Sequence, residues 1–150
     1  MTELTWVYKT FTDLHPEELY AILQLRNAVF VVEQDCPYQD ADDKDQLSYH
    51  LCGWNGKNLA AYARVIPPGI SYAQASIGRV VTSPSFRKHG AGKALMEQAI
   101  DKTLNSFNVN EIKIGAQLYL NKFYTNLGFI QSGPEYLEDG IPHIEMLLVK

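Results

Sequence analysis

The stretch "SPSFRKHGAGKAL", residues 83–95, sets Arg87, Lys88 and Lys93 around Gly90 and Gly92. Glycine weakens helices, so two of them where an apolar strand gives way to an amphipathic helix imply a backbone that something approaches closely. The first turn of a helix leaves its N–H groups unpaired, with a partial positive charge behind them. Glycines there let a diphosphate come within hydrogen-bonding distance, and the three basic side chains add charge. A Walker A loop would need GxxxxGK[ST], but Arg87 and Ala94 stand at the first glycine and at the magnesium-binding hydroxyl. A dinucleotide fingerprint would need a third glycine where Leu95 stands, and an acidic residue closing the next strand, whereas Asp101 falls within the helix. What remains is Arg-x-x-Gly-x-Gly, a loop built for a diphosphate of unspecified kind.

Other reactive side chains are sparse. Cys36 and Cys52 belong to no CxxC pair and are expected to be reduced thiols. His15, His50, His89 and His143 show no metal-ligand spacing, so no metal site is expected. Tyr124 lies on the apolar stripe of a short helix, where periodicity alone favours a core role.

These residues need a scaffold, and the sequence outlines one. "TWVYKTF" has strand composition, and a helix opens after Pro16 with Leu19, Ile22, Leu23, Arg26, Val29 and Phe30 along one stripe. The β-branched residues from Val29 to Val32 blur its end. "DCPYQDADDKDQ", residues 35–46, reads as a long acidic loop, for which a solvated face is the ordinary explanation and attraction of a cationic amine the functional one. "YHLCGW" and "LAAYARVI" form a hairpin about an Asn-Gly turn, and "QASIGRVVTS" follows as a strand. Over 90–106, Gly92, Leu95, Met96, Ala99, Ile100, Thr103 and Leu104 recur at helical spacing. "VNEIKIGA" is a strand, "YLNKFYTNLG" a short helix ended by Gly128, and "FIQSG" and "PHIEMLLV" are closing strands. The order β-α-β-β-β-α-β-α-β-β predicts an α/β (mixed α+β) fold with a mixed sheet rather than a doubly wound parallel one.

The chain of 150 residues suits a single domain, residues 1–150. Its net charge of −4 argues against a general nucleic-acid binder. The sequence shows neither a bilayer-length apolar run nor a secretory leader, so a cytoplasmic protein without a membrane partner is expected.

The loop resembles the acetyl-CoA loop [RQ]-x-x-G-x-[GA] of the GNAT superfamily of N-acetyltransferases. "IGRVVTSPSFRKHGAGKALMEQAI" is similar to the family's whole strand-loop-helix unit, and "NKFYTNLGFI" to its second signature, a tyrosine just before "LGF". "LYAILQLRNAVFVVEQDCPYQD", "AYARV" and "EDGIPHIEM" resemble the ElaA-like branch. The resemblance implies a mostly antiparallel central sheet of about six or seven strands flanked by three or four helices. It implies acetyl-CoA as co-substrate, direct attack by a small-molecule or protein amine, and a homodimer built on the late strands.

Carried over residue by residue, the resemblance assigns the diphosphate to the amides of Lys88, His89, Gly90, Ala91, Gly92 and Lys93, beside Arg87. It assigns the pantetheine arm to Val80, Val81 and Thr82, and a further cofactor contact to Gln117, which stands where many relatives have asparagine. Tyr124 would serve the departing thiolate. A phenol near pKa 10 giving its proton to a thiolate near 8.5 is uphill by about 2 kcal/mol, which favours hydrogen bonding over full transfer. An attacking amine must lose a proton, and Glu33, His143 and Glu145 are the candidate bases. Glu33 reads equally as a salt-bridged helix end and His143 as a structural histidine. Arg64 and Arg79, in apolar strands, need acidic partners or an anionic substrate. A CoA-binding sensor with the same fold and little turnover is the competing reading.

Overall fold

The computed structural model of the chain describes residues 3–150; the first two positions of the 1–150 domain assignment lie outside them. Strands β1 (Thr5–Thr10), β2 (Tyr49–Asn55), β3 (Asn58–Ile66) and β4 (Ser76–Thr82) pair antiparallel in chain order. Strands β5 (Glu111–Gln117), β6 (Ile130–Glu138) and β7 (Ile141–Val149) form a second antiparallel group in the order β5-β7-β6. The two groups meet where β4 runs parallel to β5. An isolated bridge pairs Ala75 with Ile112, and the Lys113 N–H donates to the Ala75 carbonyl at 2.9 Å. No ladder joins the groups further along, among the described residues. The mixed sheet is the one expected from the element order, and its mostly antiparallel pairing is the one the resemblance implied.

Both faces of the first sheet are covered, which is why every residue of β3 from Ala60 to Ile66 is buried. Successive strand residues point to opposite faces. Leu51, Ala61, Ala63 and Ile77 meet Leu95, Met96, Ala99 and Ile100 of helix α2 (Ala91–Phe107). Cys52, Tyr62 and Val81 meet Ile22, Leu25 and Val29 on the other face. The buried stripe of α2 is the one its periodicity predicts.

Helix α1 (Pro16–Arg26) has Pro16 in its first turn, and the Glu18 carboxylate accepts the His15 N–H at 2.8 Å. Its buried residues are Ile22, Leu25 and Arg26, so Leu25 takes the deep position expected of Leu23. The helix continues as a π-helix over Asn27–Glu33, closed by N–H groups of Gln34 and Cys36 bonded to carbonyls five residues back, on Val29 and Val31. Branching at Val29, Val31 and Val32 crowds a tight α-turn, and the wider turn relieves it.

Two further boundaries differ from expectation. Helix α3 is only Asn121–Thr125, with Gly128 at φ +107° ending the turn. Strand β6 runs past Gly133 to Glu138, because a register shift between Gln131 and Glu135 absorbs Pro134, which cannot donate to a ladder. The β6–β7 turn is Asp139-Gly140, both at positive φ, the pairing that Asp-Gly favours. Among the described residues, no helix is long and apolar enough to cross a membrane.

Candidate functional site

Where β4 parts from β5 a cleft of about 1090 Å³ opens between the two strand groups. Its β4 wall carries Val80, Val81 and Thr82. The β3–β4 register passes from Arg64↔Gly78 to Tyr62↔Val81, so Arg79 and Val80 together oppose Ala63 alone. Arg79 adopts φ +50°, the backbone signature of this bulge. A bulge interrupts the ladder locally and bends its strand, freeing backbone groups beside the cleft.

The rim at one end is the glycine loop: Arg87, Lys88, Gly90, Ala91 and Gly92 all border the cleft. Gly90 caps α2 at φ +77°, a conformation that costs any residue with a Cβ. Its carbonyl accepts the Ala94 N–H at 3.1 Å, and no side chain caps the helix, so the first-turn amides are free to meet a ligand. Gly92 has a different role. A Cβ placed there would lie 3.7 Å from Thr82 Oγ1 and 3.9 Å from Phe123 Cζ, ordinary contact distances, so no part of the chain requires the glycine. The space it leaves suits a diphosphate resting on the helix N-terminus. His89 and Lys93 do not border the cleft. His89 faces a separate hollow of about 670 Å³ beside Trp6 and Phe86, and Lys93 is exposed.

Arg87 reaches across to Glu33 at the end of the π-helix, with Nη1 and Nη2 2.8 and 2.6 Å from the two carboxylate oxygens. The paired guanidinium holds the Glu33 carboxyl below the usual carboxylate range. Gln117 borders the cleft from β5, its Nε2 donating at 3.4 Å to Gln34 Oε1. Tyr124 also borders it, 6% exposed, edge-on to Phe123 and Phe129. Burial, with Tyr119 nearby, pushes its phenol up to about 12. Its hydroxyl forms no hydrogen bond to any described residue, so it remains free to donate into the cleft.

The far end is more polar than the sequence suggested. His143, on β7, is 6% exposed and stands opposite Gln117 on β5 and Tyr136 on β6. Its Nδ1 is 2.7 Å from the Ile141 carbonyl, and its Nε2 is 3.6 Å from Glu138 Oε2. Tyr72, Tyr136 and Glu138 line this end, and sequence reasoning singled out none of them. The Asp139-Gly140 turn was the available signal, since it pairs Glu138 with the strand of His143. Glu145 lies outside the lining and faces Lys113 at 3.4 Å.

One wall rests on an ion network. Asp40, Asp42 and Asp45 of the acidic loop meet three arginines from α1, β3 and β4. Arg26, wholly buried, binds Asp40 Oδ2 and Asp45 Oδ1, both at 2.8 Å. Arg64 grips both Asp42 oxygens at 2.7 and 2.8 Å and shares Asp45, while Arg79 binds Asp40 at 2.9 Å. Burial alone would push Asp45 up, but the two guanidinium partners hold it below its ordinary value. The loop is therefore not wholly the solvated face that a charge run suggests: Asp40, Asp42 and Asp45 are turned toward the three arginines, while Asp35 and Asp43 stay exposed. His50 donates from Nε2 to the Asp45 carbonyl at 2.9 Å and accepts the Tyr62 hydroxyl at 2.6 Å, and burial lowers its pKa. Both cysteines are free and buried. Cys52 is pushed up to about 12 by burial, and Cys36 directs its thiol at the Asp139 carbonyl.

Residues 12–150 match the family described as the acetyltransferase (GNAT) domain. Protein ElaA of Escherichia coli is 40% identical over 145 residues, 95% of each chain. The crystal structure of an acyl-CoA N-acyltransferase from Pseudomonas aeruginosa superposes with a TM-score of 0.93 at 42% identity, covering 98% of this chain and 100% of that one. The crystal structure of E. coli ElaA gives a TM-score of 0.91 at 39% identity, over 97% of this chain and 99% of that one.

Proposed function

The chain belongs to the GNAT acetyltransferase family, and from that premise we propose that it carries an acetyl group from acetyl-CoA directly to the nitrogen of an amine. The observation that carries this reading is the convergence of the bare first turn of α2, at Gly90–Gly92, and the unpartnered hydroxyl of Tyr124 on one cleft. Acetyl-CoA supplies an acyl group activated as a thioester. The chain would hold its diphosphate on the amides of Lys88, Gly90, Ala91 and Gly92 and its pantetheine along Val80–Thr82, with Gln117 on the facing strand. A free backbone N–H at the bulge would polarise the thioester carbonyl, a contribution of about 3 kcal/mol.

Tyr124 would act as a hydrogen-bond donor to the leaving sulfur and keep its proton. With the phenol near 12 and a thiol near 8.5, full transfer would be uphill by roughly 5 kcal/mol. The buried Cys52 is no acyl carrier, since its thiol stays protonated. The acceptor is an amine on a small molecule or a protein, and the setting is cytoplasmic.

Thiol release from acetyl-CoA, followed across amino acids, polyamines, amino sugars and peptide N-termini, tests the reading. Acceptor-dependent release is the expected result. Tight CoA binding with no release from any amine would favour the sensor instead.

A further inference from the structure

We propose that His143 is the base that takes the proton from the attacking amine, acting through Nε2, with Glu138 as the carboxylate that steadies the charge it acquires. The inference deepens the acetyltransferase reading and rests on it.

The three carboxylate and imidazole candidates are separated by their partners. Glu33 has both oxygens committed to Arg87 and its proton affinity lowered by that pairing, which makes it a poor base. Glu145 is outside the cleft lining and faces Lys113. His143 borders the cleft, and its hydrogen bonding fixes what its ring can do. A carbonyl oxygen only accepts, so the contact with Ile141 places the proton on Nδ1. In the neutral ring Nε2 then carries the lone pair, and this is the atom directed toward Glu138. The arrangement is that of a general base: one nitrogen anchored as donor, the other available, and a carboxylate beside it to stabilise the imidazolium.

The ionisable groups around His143 come from several elements: Glu138 and Tyr136 on β6, Asp139 in the turn, Tyr72 from the β3–β4 connection, and the Glu145–Lys113 pair along the same face. Apart from the paired Lys113 they are acidic or phenolic, and the same cleft is also lined by Lys44, bonded to Ser71 Oγ at 3.0 Å, and by the aspartate-paired Arg64 and Arg79.

His143 Nε2 removes one proton from the ammonium form of the acceptor. The free amine forms the C–N bond to the acetyl carbon, and the C–S bond breaks. A second N–H proton ends on the sulfur, leaving an amide and a thiol, while His143 passes its proton to solvent. Tyr124 donates a hydrogen bond to the sulfur throughout.

The experiment compares wild type with His143→Gln, His143→Ala and Glu138→Gln, using the best amine of the panel, with CoA affinity and thermal unfolding measured in parallel. His143→Gln should lose about a hundredfold or more in kcat/KM for the amine, keep its CoA affinity within about twofold, and lose the acidic limb of the pH profile. Imidazole in the buffer should restore at least about tenfold to His143→Ala and nothing to wild type. Glu138→Gln should lower kcat by about tenfold while leaving CoA affinity and the thermal midpoint close to wild type. A folded His143→Gln protein that binds CoA and retains the acidic limb would overturn the assignment while leaving the acetyltransferase reading intact. A wild type that releases no thiol with any amine would overturn both.

Discussion

A phenol held near 12 gives no useful amount of its proton to a thiolate, yet its O–H dipole is undiminished, and this defines what can be lost at Tyr124. Hydrogen bonds to charged groups contribute roughly 1.5–3 kcal/mol, so Tyr124→Phe should lower kcat by about ten- to a hundredfold. CoA affinity should stay nearly intact, by calorimetry. A burial-raised phenol also predicts no descending limb near the ordinary tyrosine value, about 10; such a limb would mean that Tyr124 ionises like an exposed side chain. At Gly90 and Gly92 the same loop gives opposite expectations. Gly90→Ala forces a Cβ into the left-handed region and should cost about 1–2 kcal/mol of stability. Gly92→Val meets no backbone conflict of that kind. Its thermal midpoint should stay close to wild type, while the KM for acetyl-CoA rises at least about tenfold as the side chain fills the ligand's space.

At the scale of elements, the acidic loop shows how a segment without regular structure becomes part of the core. Removing one partner of a buried ion pair typically costs about 3–5 kcal/mol, so Arg26→Ala should lower unfolding free energy by that order in denaturant titrations. The pH dependence separates into two stages. His50 has its pKa lowered by burial, so its contribution is complete above the unfolded value near 6.5 and is lost as pH falls below it. Asp42 and Asp45 are held below their ordinary value, so their contribution is complete above about 3.9 and is lost on further acidification. Denaturant midpoints measured from pH 8 to pH 3 should fall in those two steps, with His50→Gln removing the upper and Asp45→Asn weakening the lower.

The sequence could announce the strands, the Asn-Gly hairpin and α2 because each is written in local periodicity. It could not announce the π-helix, since five-residue hydrogen bonding leaves no distinct apolar spacing at Val29–Val32. Nor could it pair Asp40, Asp42 and Asp45 with Arg26, Arg64 and Arg79, whose separations in the chain are set only by folding. The glycine-loop half of the cleft was legible for a related reason: residues 80–92 are contiguous, and their chemistry follows from strand, turn and helix start. The other half is assembled from Tyr72, Tyr136, Glu138 and His143, three separate segments, and only the Asp139-Gly140 turn hints at their meeting.

On the scale of the whole molecule, the two strand groups meet at the Ala75–Ile112 bridge and part beside the cleft. Arg87 and Glu33, both on the cleft lining, form a clasp between the glycine loop and the π-helix. Both side chains are about 40% exposed, and exposed pairs contribute little. Glu33→Gln should therefore change CoA binding by at most about fivefold, measured by titration calorimetry, with kcat preserved. Loss of kcat in that variant would make Glu33 more than a clasp.

The backbone bridge at Ala75–Ile112, the one isolated bridge among the described residues, has a further consequence for motion. Everything before it in the first sheet and everything after it in the second can keep its own hydrogen bonds while the junction flexes. Amide exchange should then report two separately protected blocks, β1–β4 and β5–β7, with the fastest-exchanging strand amides along the edges where β4 faces β5. A ligand spanning both walls would slow exchange on the two edges together, which makes deuterium uptake at that seam a direct gauge of whether a candidate acceptor has seated.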